Sequence, residues 1–398
     1  MIYLDNAATT QPKQQVLDGM NAYLVNRWHN PSSLYREGKA VNNDIKEARQ
    51  TIAEFIGAER DDIYFTSGGS ESNNWAIQGF VNQCRIDKIR PIVITTVIEH
   101  NSIKLCVESL KKQNVSVDIL KVDKDGFVSV KELKERLEYW TSEDFFSPCR
   151  ILVSVQYANN EIGTIQDIRV IGQLCHKYGA ILHTDAVQIF GKLPIDVNDK
   201  EIDLLSASGH KIGTPKGIGF LYIRNEYHNS FSPLIYGTQN NGMRGGTENV
   251  AGIIGLKIAT QLCDEAFNSL VQDEETRYLT TKQYLTNISK MLDEYGINHK
   301  LNGHTYFRLS RIISLTINHK VTGEALIYML ETEGYSISAG SACDSHSDKP
   351  SFVLQAIGLT DDEARRTIRL TLPSYGFTMQ DWSEFCSALV KCIRVLES

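Results

Sequence analysis

No stretch of about 18 consecutive apolar residues occurs in the chain, so no helix in it is built to cross a bilayer. The opening MIYLDNAATTQP has no basic start and no long apolar core, so it does not read as a secretory signal. Internal repeats and low-complexity runs are absent, which excludes a solenoid or an array. Cationic excess is absent too. Lys and Arg total 41 against 48 Asp and Glu, a net charge of -7, and a dedicated nucleic-acid binder usually shows a basic face. No two of the eight cysteines form a CxxC pair, so the paired spacing of a structural zinc site is missing. Scattered thiols in a long chain without a signal point to a reducing cytoplasm, not to disulfides. Cys343 and His346 make one CxxH, by itself a weak metal signal, and no metal is expected. GxGxxG and a Walker lysine are both missing, which disfavours dinucleotides and nucleoside triphosphates.

What is present is an ordinary globular composition, 42% hydrophobic and 22% charged. A chain of 398 residues buries enough surface to fold without disulfide or metal staples. Short apolar runs alternate with helical patterns. The runs lie at Ile63–Phe65, Ile92–Ile94, Val117–Leu120, Ile151–Val155, Ile181–His183, Leu204–Leu205 and Phe220–Ile223. Helical spacing lies between them at Ile103–Lys112, Val130–Tyr139 and Ile168–Tyr178. This alternation predicts βαβ units and a mostly parallel sheet covered on both faces. After about residue 250 the pattern changes. Val250–Leu292 predicts one or two long helices, Ile312–Ile317 a strand, Gly323–Glu333 a helix, Ser336–Ser338 a short strand and Met379–Leu396 a closing helix. We expect a large α/β unit over residues 16–260, with a smaller α+β unit formed by residues 1–15 and 261–398.

Three segments carry chemistry. Phe65-Thr66-Ser67-Gly68-Gly69-Ser70 follows a strand and opens a helix, where free amides and the macrodipole favour an anion. The same segment also suits a plain strand–turn–helix junction with a serine cap. Asp185 ends the run beginning at Ile181 and so sits at the carboxyl edge of the sheet, as a ligand contact or as a helix cap. Lys211 follows Ser208-Gly209-His210 at another strand end, as an amine able to form a Schiff base or as a solvated loop lysine. Together, an anion cup, a carboxylate and an amine at successive strand ends answer what pyridoxal 5'-phosphate requires: a phosphate seat, a partner for the pyridine nitrogen and an amine for the aldehyde. His100, also just past a strand, offers an imidazole to stack on the ring.

The segments LDNAATT, NPSS, TSGGSESNN, EHNSI, NNEIGT, HTDAVQ, SGHK, PKGIGFLY, RGGTENV and SAGSACDS resemble, in order and register, the motifs of the cysteine desulfurases in the class V branch of pyridoxal-phosphate enzymes. The resemblance runs from residue 3 to about residue 375. It implies a type I pyridoxal-phosphate transferase fold with a seven-stranded, mostly parallel sheet, and a homodimer with cofactor sites near the subunit interface. It implies that Lys211 carries the cofactor, that Asp185 faces the pyridine nitrogen and that Gln188 donates to the ring hydroxyl. His100 would stack and serve proton transfer, and Gly69, Ser70, Ser208 and His210 would hold the phosphate. Thr247 would reach the phosphate of the other subunit. Asn160 would lie near cofactor and substrate, and Arg369 would grip the substrate carboxylate, a task suited to its planar fork.

By the same resemblance Cys343 takes sulfur from L-cysteine, leaving L-alanine, and passes it as a persulfide to an acceptor protein, an iron–sulfur scaffold or a tRNA-thiolation enzyme. No direct nucleic-acid or membrane contact is expected. Thr214 stands before a proline where the family usually has glycine, and Asp344 and His346 follow Cys343 where small or hydroxyl residues are usual. These departures bear on the turn after Lys211 and on the choice of acceptor. The rival readings are a selenocysteine lyase or another class V aminotransferase, and, from a different class, a catalytically silent sulfur-carrier or metal-holding scaffold.

Overall fold

The computed structural model describes residues 1–142, 148–269, 274–317, 320–340, 349–373 and 376–397. Its strands in chain order are β1 (Ile2–Tyr3), β2 (Ile63–Thr66), β3 (Arg90–Thr96), β4 (Ser116–Leu120), β5 (Cys149–Ser154), β6 (Ile181–Asp185), β7 (Leu204–Ser208), β8 (Gly219–Ile223), β9 (His299–Asn302), β10 (Ile312–Ile317), β11 (Tyr335–Ser336), β12 (Ser338–Ala339) and β13 (Thr367–Thr371).

β2 to β8 form one seven-stranded sheet in the order β2-β8-β7-β6-β5-β3-β4. β4, β3, β5, β6 and β7 run parallel. Only β8 runs against its neighbours β2 and β7. The physical reason is the connection. Residues 209–218 are too few for the helical crossover that a parallel strand needs, so the chain turns back. Helices cover both faces, and β2, β6, β7 and β8 are buried along their whole length, which explains why they read as unbroken apolar runs.

The sequence order reverses at β3, whose neighbours are β4 on one side and β5 on the other. Ligands of open α/β sheets bind at such a reversal, beyond the carboxyl ends of the strands. Those ends lead directly into His100, Asn160, Asp185 and Lys211.

β12-β13-β10-β9 form a second, antiparallel sheet. Its core gathers Ile313, Leu315, Leu370, Trp382, Phe385 and Leu389, with Leu4 from the amino terminus. The described residues of the helical stretch after residue 250 are the helices Val250–Ser269 and Glu274–Glu294. The first crosses position 260 without a break, and its Ile253, Leu256, Ala259 and Cys263 belong to the core of the large sheet. The single strand expected at Ser336–Ser338 is instead two. Tyr335–Ser336 pairs with β1, and Ser338–Ala339 pairs with β13. The buried Ile337 between them marks the passage from one sheet to the other. Among the described residues no helix is long and apolar enough to cross a membrane.

Candidate active site

The turn expected to hold an anion is built by backbone geometry. Gly68 has φ 147°, a value that favours glycine, and it turns β2 into the helix starting at Gly69. A Cβ on Gly69 would lie 2.5 Å from Val187 Cγ2, so only glycine lets this turn approach the strand end that carries Asp185. The Ser67 amide donates to Glu71 Oε2 at 2.7 Å, and Glu71 Oε1 accepts from Arg244 Nε at 2.9 Å. This pair ties the cup to the loop that carries Thr247. Ser70 and Thr247 are exposed and Ser208 is buried.

Asp185 ends β6 and is almost fully buried. Its Oδ1 accepts from the Val187 amide at 2.9 Å and its Oδ2 from Asn73 Nδ2 at 2.7 Å. Two residues earlier, His183 lies between the Ser154 and Ser206 hydroxyls at 2.8 and 2.9 Å. Burial pushes its imidazole down to about 3, so it is a neutral strut beneath the site.

Lys211 ends the short turn Gly209–Lys211 after β7. Its Nζ donates to the Ala7 and Ala8 carbonyls at 2.5 and 2.8 Å. Ala7 O also accepts Gln188 Nε2 at 3.0 Å. His210 Nδ1 lies 3.1 Å from the Thr9 hydroxyl, and burial pushes its imidazole down to about 4, with Lys211 adding to the effect. Thr214 leaves the turn intact. Its amide closes on Gly209 O at 3.2 Å, and its buried hydroxyl donates to Pro215 O at 2.8 Å.

His100 caps the helix Asn101–Lys112, accepting the Ser102 amide on Nδ1. A ring nitrogen that accepts is unprotonated, which assigns the proton of the neutral ring to Nε2. The preceding Glu99 is buried, and burial pushes its carboxyl up to about 8 against hydrogen bonds from Thr96 and Gln156, with Asp185 raising it further.

Arg369 on β13 is 1% exposed. It donates to Asp5 Oδ1 at 2.6 Å and to the Asn160 carbonyl at 3.1 Å, and its Nε is buried without a partner. Burial raises the Asp5 carboxyl, and Arg369 pulls it back down.

The fold thus gathers Gln188, Lys211, His210 and Arg369 around residues 5–9, while Asp185 is held by Asn73 and the Val187 amide. Cys343, Asp344 and His346 lie outside the described residues. Sequence reasoning missed Asn73 and Asp5, although both sit inside quoted motifs. It also missed the Ala7 and Ala8 carbonyls, which no side-chain pattern announces.

The aminotransferase class-V family model matches residues 2–376. The chain is 40% identical over 372 residues to "Cysteine desulfurase IscS" of Methanosarcina thermophila, covering 93% of this chain and 87% of that protein. It is 38% identical over 400 residues to the protein of the same name from Dictyoglomus turgidum, covering 100% and 95%. Among solved structures, a NifS-like protein superposes with a TM-score of 0.85 at 28% identity, over 99% of both chains. "SspA in complex with cysteine" superposes with a TM-score of 0.78 at 34% identity, over 95% of this chain and 100% of that one.

Proposed function

The chain belongs to the class-V aminotransferase family and is a pyridoxal-phosphate-dependent cysteine desulfurase, and from that premise we propose how its residues divide the work. The residues present suit the cofactor. The glycine turn leaves a cradle that a Cβ would fill, Asp185 is a buried carboxylate at the strand edge, and Arg369 Nε is a buried donor without a partner. When bound, the cofactor supplies an electron sink for the carbon skeleton of the substrate. Lys211 would hold its aldehyde, and Asp185 would keep its pyridine nitrogen charged. Gln188 would donate to its ring oxygen, and His100 would stack on it. The cup at Gly69 and Ser70, with Ser208 and His210, would seat the phosphate, and Thr247 would reach the phosphate held by a second subunit in a homodimer.

The observation that carries this reading is that Lys211 Nζ and Gln188 Nε2 meet on one carbonyl, Ala7 O. That contact fixes the amine and the ring-oxygen donor side by side, within the segment that also orients Arg369 through Asp5. Arg369, beside Asn160, would take the carboxylate of L-cysteine. The Lys211 amine, once released, removes the Cα proton and returns it as a general acid–base. The Cys343 thiolate attacks the substrate sulfur, so that an S–S bond forms as the Cβ–S bond breaks. Cβ keeps the electron pair and takes up a proton, so that L-alanine leaves and Cys343 keeps the persulfide. An acceptor protein of iron–sulfur assembly or tRNA thiolation then takes the sulfur. We place the enzyme in the cytoplasm and read residues 16–260 as the cofactor-binding unit, with 1–15 and 261–398 as the unit that brings substrate and thiol to it.

The test is to assay alanine and sulfide from L-cysteine with the wild type and with Lys211→Ala. Wild-type protein is expected to show a cofactor band at about 410–430 nm and to make alanine. Lys211→Ala is expected to fold but not to turn over. Normal alanine production by folded Lys211→Ala would overturn the assignment.

A further inference from the structure

Lys192 lies four residues beyond Gln188 in the turns that follow β6, and its Nζ donates to Gln188 Oε1 at 2.8 Å. From the other side of the same amide, Nε2 donates to Ala7 O at 3.0 Å, the carbonyl that also takes Lys211 Nζ. An amide oxygen only accepts and an amide nitrogen carries two hydrogens. If the amide flipped, its oxygen would face the Ala7 carbonyl, an acceptor against an acceptor, and its NH2 would face the Lys192 amine, which as an ammonium has no lone pair to accept with. One hydrogen of Nε2 is used by Ala7 O, which leaves the second for a ligand.

We propose that Lys192 is a positioning residue that holds Gln188 with its amide nitrogen toward the ring oxygen of the cofactor. This rests on the donor role assigned to Gln188 above. Lys192 touches neither substrate nor cofactor in this reading and acts only through Gln188. The amine does not need to be charged to do this, because a neutral amine still carries N–H donors. Burial pushes Lys192 down to about 7, Lys211 and Arg369 push it the same way, and the Cys263 thiol opposes them. His210 feels the same cluster of cations. The hydrogen bond therefore persists across neutral pH while the charge does not.

A donor on the ring oxygen draws electron density from it and lowers the pH at which the cofactor band fades. The experiment is a pH titration of that band in the absence of substrate, in the wild type, Lys192→Met, Lys192→Gln, Gln188→Ala and the Lys192→Met/Gln188→Ala double variant. Circular dichroism and thermal melting of each apoprotein serve as the fold check. Lys192→Met removes the donor at similar length, and its midpoint is expected to rise by about one pH unit, a tenfold change in the equilibrium. Gln188→Ala should rise similarly, and the double variant should rise no further than Gln188→Ala alone. Lys192→Gln keeps a donor without a charge and should stay near wild type, which also covers the case in which Lys192→Met does not fold. If Gln188→Ala shifts the band and Lys192→Met does not, the Gln188 reading stands and the Lys192 proposal fails. If Lys192→Met adds its full shift on top of Gln188→Ala, or if Lys192→Gln shifts as far as Lys192→Met, Lys192 acts by charge and the proposal also fails. If Gln188→Ala leaves the band unmoved, it is the donor role of Gln188 that falls, and the proposal with it.

Discussion

Asn73 Nδ2 donates to Asp185 Oδ2 at 2.7 Å and to the Ser102 hydroxyl at 2.9 Å. Ser102 Oγ lies 2.8 Å from His100 Nδ1, so one chain of hydrogen bonds joins the carboxylate at the end of β6 to the imidazole beyond β3. Asn73 Oδ1 is buried without a partner. The amide is therefore oriented by what its nitrogen gives, and replacing Asn73 disturbs both groups together. Asn73→Ala removes a hydrogen bond to a charged acceptor, worth about 1.5–3 kcal/mol. Steady-state assays should show kcat/KM for L-cysteine falling by about tenfold to a hundredfold, with weaker cofactor retention on dialysis. Asn73→Asp should be worse than Asn73→Ala, because it sets a second carboxylate against Asp185.

Asp185→Asn keeps the acceptor that the Val187 amide uses, so the start of the following turn should survive. It loses the negative charge, and its new amide nitrogen faces the donor of Asn73. A barrier increase of several kcal/mol is expected, each 1.36 kcal/mol being about tenfold in rate. Single-turnover kinetics with the cofactor-loaded variant measures this directly. A wild-type rate would show that Asp185 is only a cap.

The large sheet was legible because strands buried on both faces have no alternative to unbroken apolar runs, and Ile151–Ser154 or Phe220–Ile223 read that way at once. The reversal of β8 was not legible, since it follows from the length of a connection and not from any residue in the strand. Ser336 and Ser338 looked like one strand because a two-residue strand is shorter than any periodicity. Within the site, Lys211 and Asp185 stood out as ionisable groups at strand ends, whereas Gln188 was reached only through the family resemblance. Asp5 did not, because its partner Arg369 is far away along the chain and only β13 brings the two together. Lys192 drew no reading at all, because only the turn after β6 sets it against Gln188.

Arg369 donates to Asp5 and to the Asn160 carbonyl and keeps a buried Nε without a partner. Lysine has no such fork. Arg369→Lys should therefore raise KM for L-cysteine by about tenfold or more while changing kcat less, the pattern expected when uniform substrate binding is lost. Asp5→Ala leaves the guanidinium buried without its countercharge. Removing one partner of a buried pair costs about 3–5 kcal/mol, so Asp5→Ala should lower the melting temperature as well as weaken substrate binding. Calorimetry and initial rates separate the two effects.

Glu99 gives the pH dependence a sign. Its folded carboxyl is raised from 4.5 to about 8, chiefly by burial. Below pH 4.5 it is neutral in both folded and unfolded chains, so its burial carries no ionisation cost. As pH rises towards 8 the unfolded chain ionises this group and the folded chain does not, and the stability it allows is progressively lost. Glu99→Gln keeps the oxygen that accepts from Thr96 and from the Gln156 amide and cannot ionise. The melting temperature of Glu99→Gln relative to wild type should therefore climb between pH 5 and pH 8, measured on the apoprotein. A flat difference across that interval would mean that Glu99 is ionised in the folded chain.

The sulfur acceptor is the last point that chemistry can isolate. Six of the seven cysteines among the described residues are buried. Burial pushes Cys84 up to about 11 and Cys386 up to about 12, and it raises Cys106, Cys175, Cys263 and Cys392 as well. Thiols so raised carry almost no thiolate at neutral pH, and the thiolate is the nucleophile. Cys149 is half-buried but opens β5, at the end of the strand away from the site, where its Sγ donates to Trp140 O at 3.3 Å. Six of these seven are thus buried thiols with raised pKa values, and the seventh sits at the far end of β5. Cys343→Ala should bind cofactor with an unchanged spectrum, since nothing assigned to the cofactor is touched. It should make little alanine and carry no sulfur label, and Cys343→Ser should fare no better because a hydroxyl is a far weaker nucleophile near neutral pH. Cys149→Ala and Cys263→Ala should transfer sulfur normally. Mass spectrometry after incubation with labelled L-cysteine and no reductant checks this. A persulfide on a peptide other than the one holding Cys343, or full activity in Cys343→Ala, would move the sulfur-accepting role elsewhere.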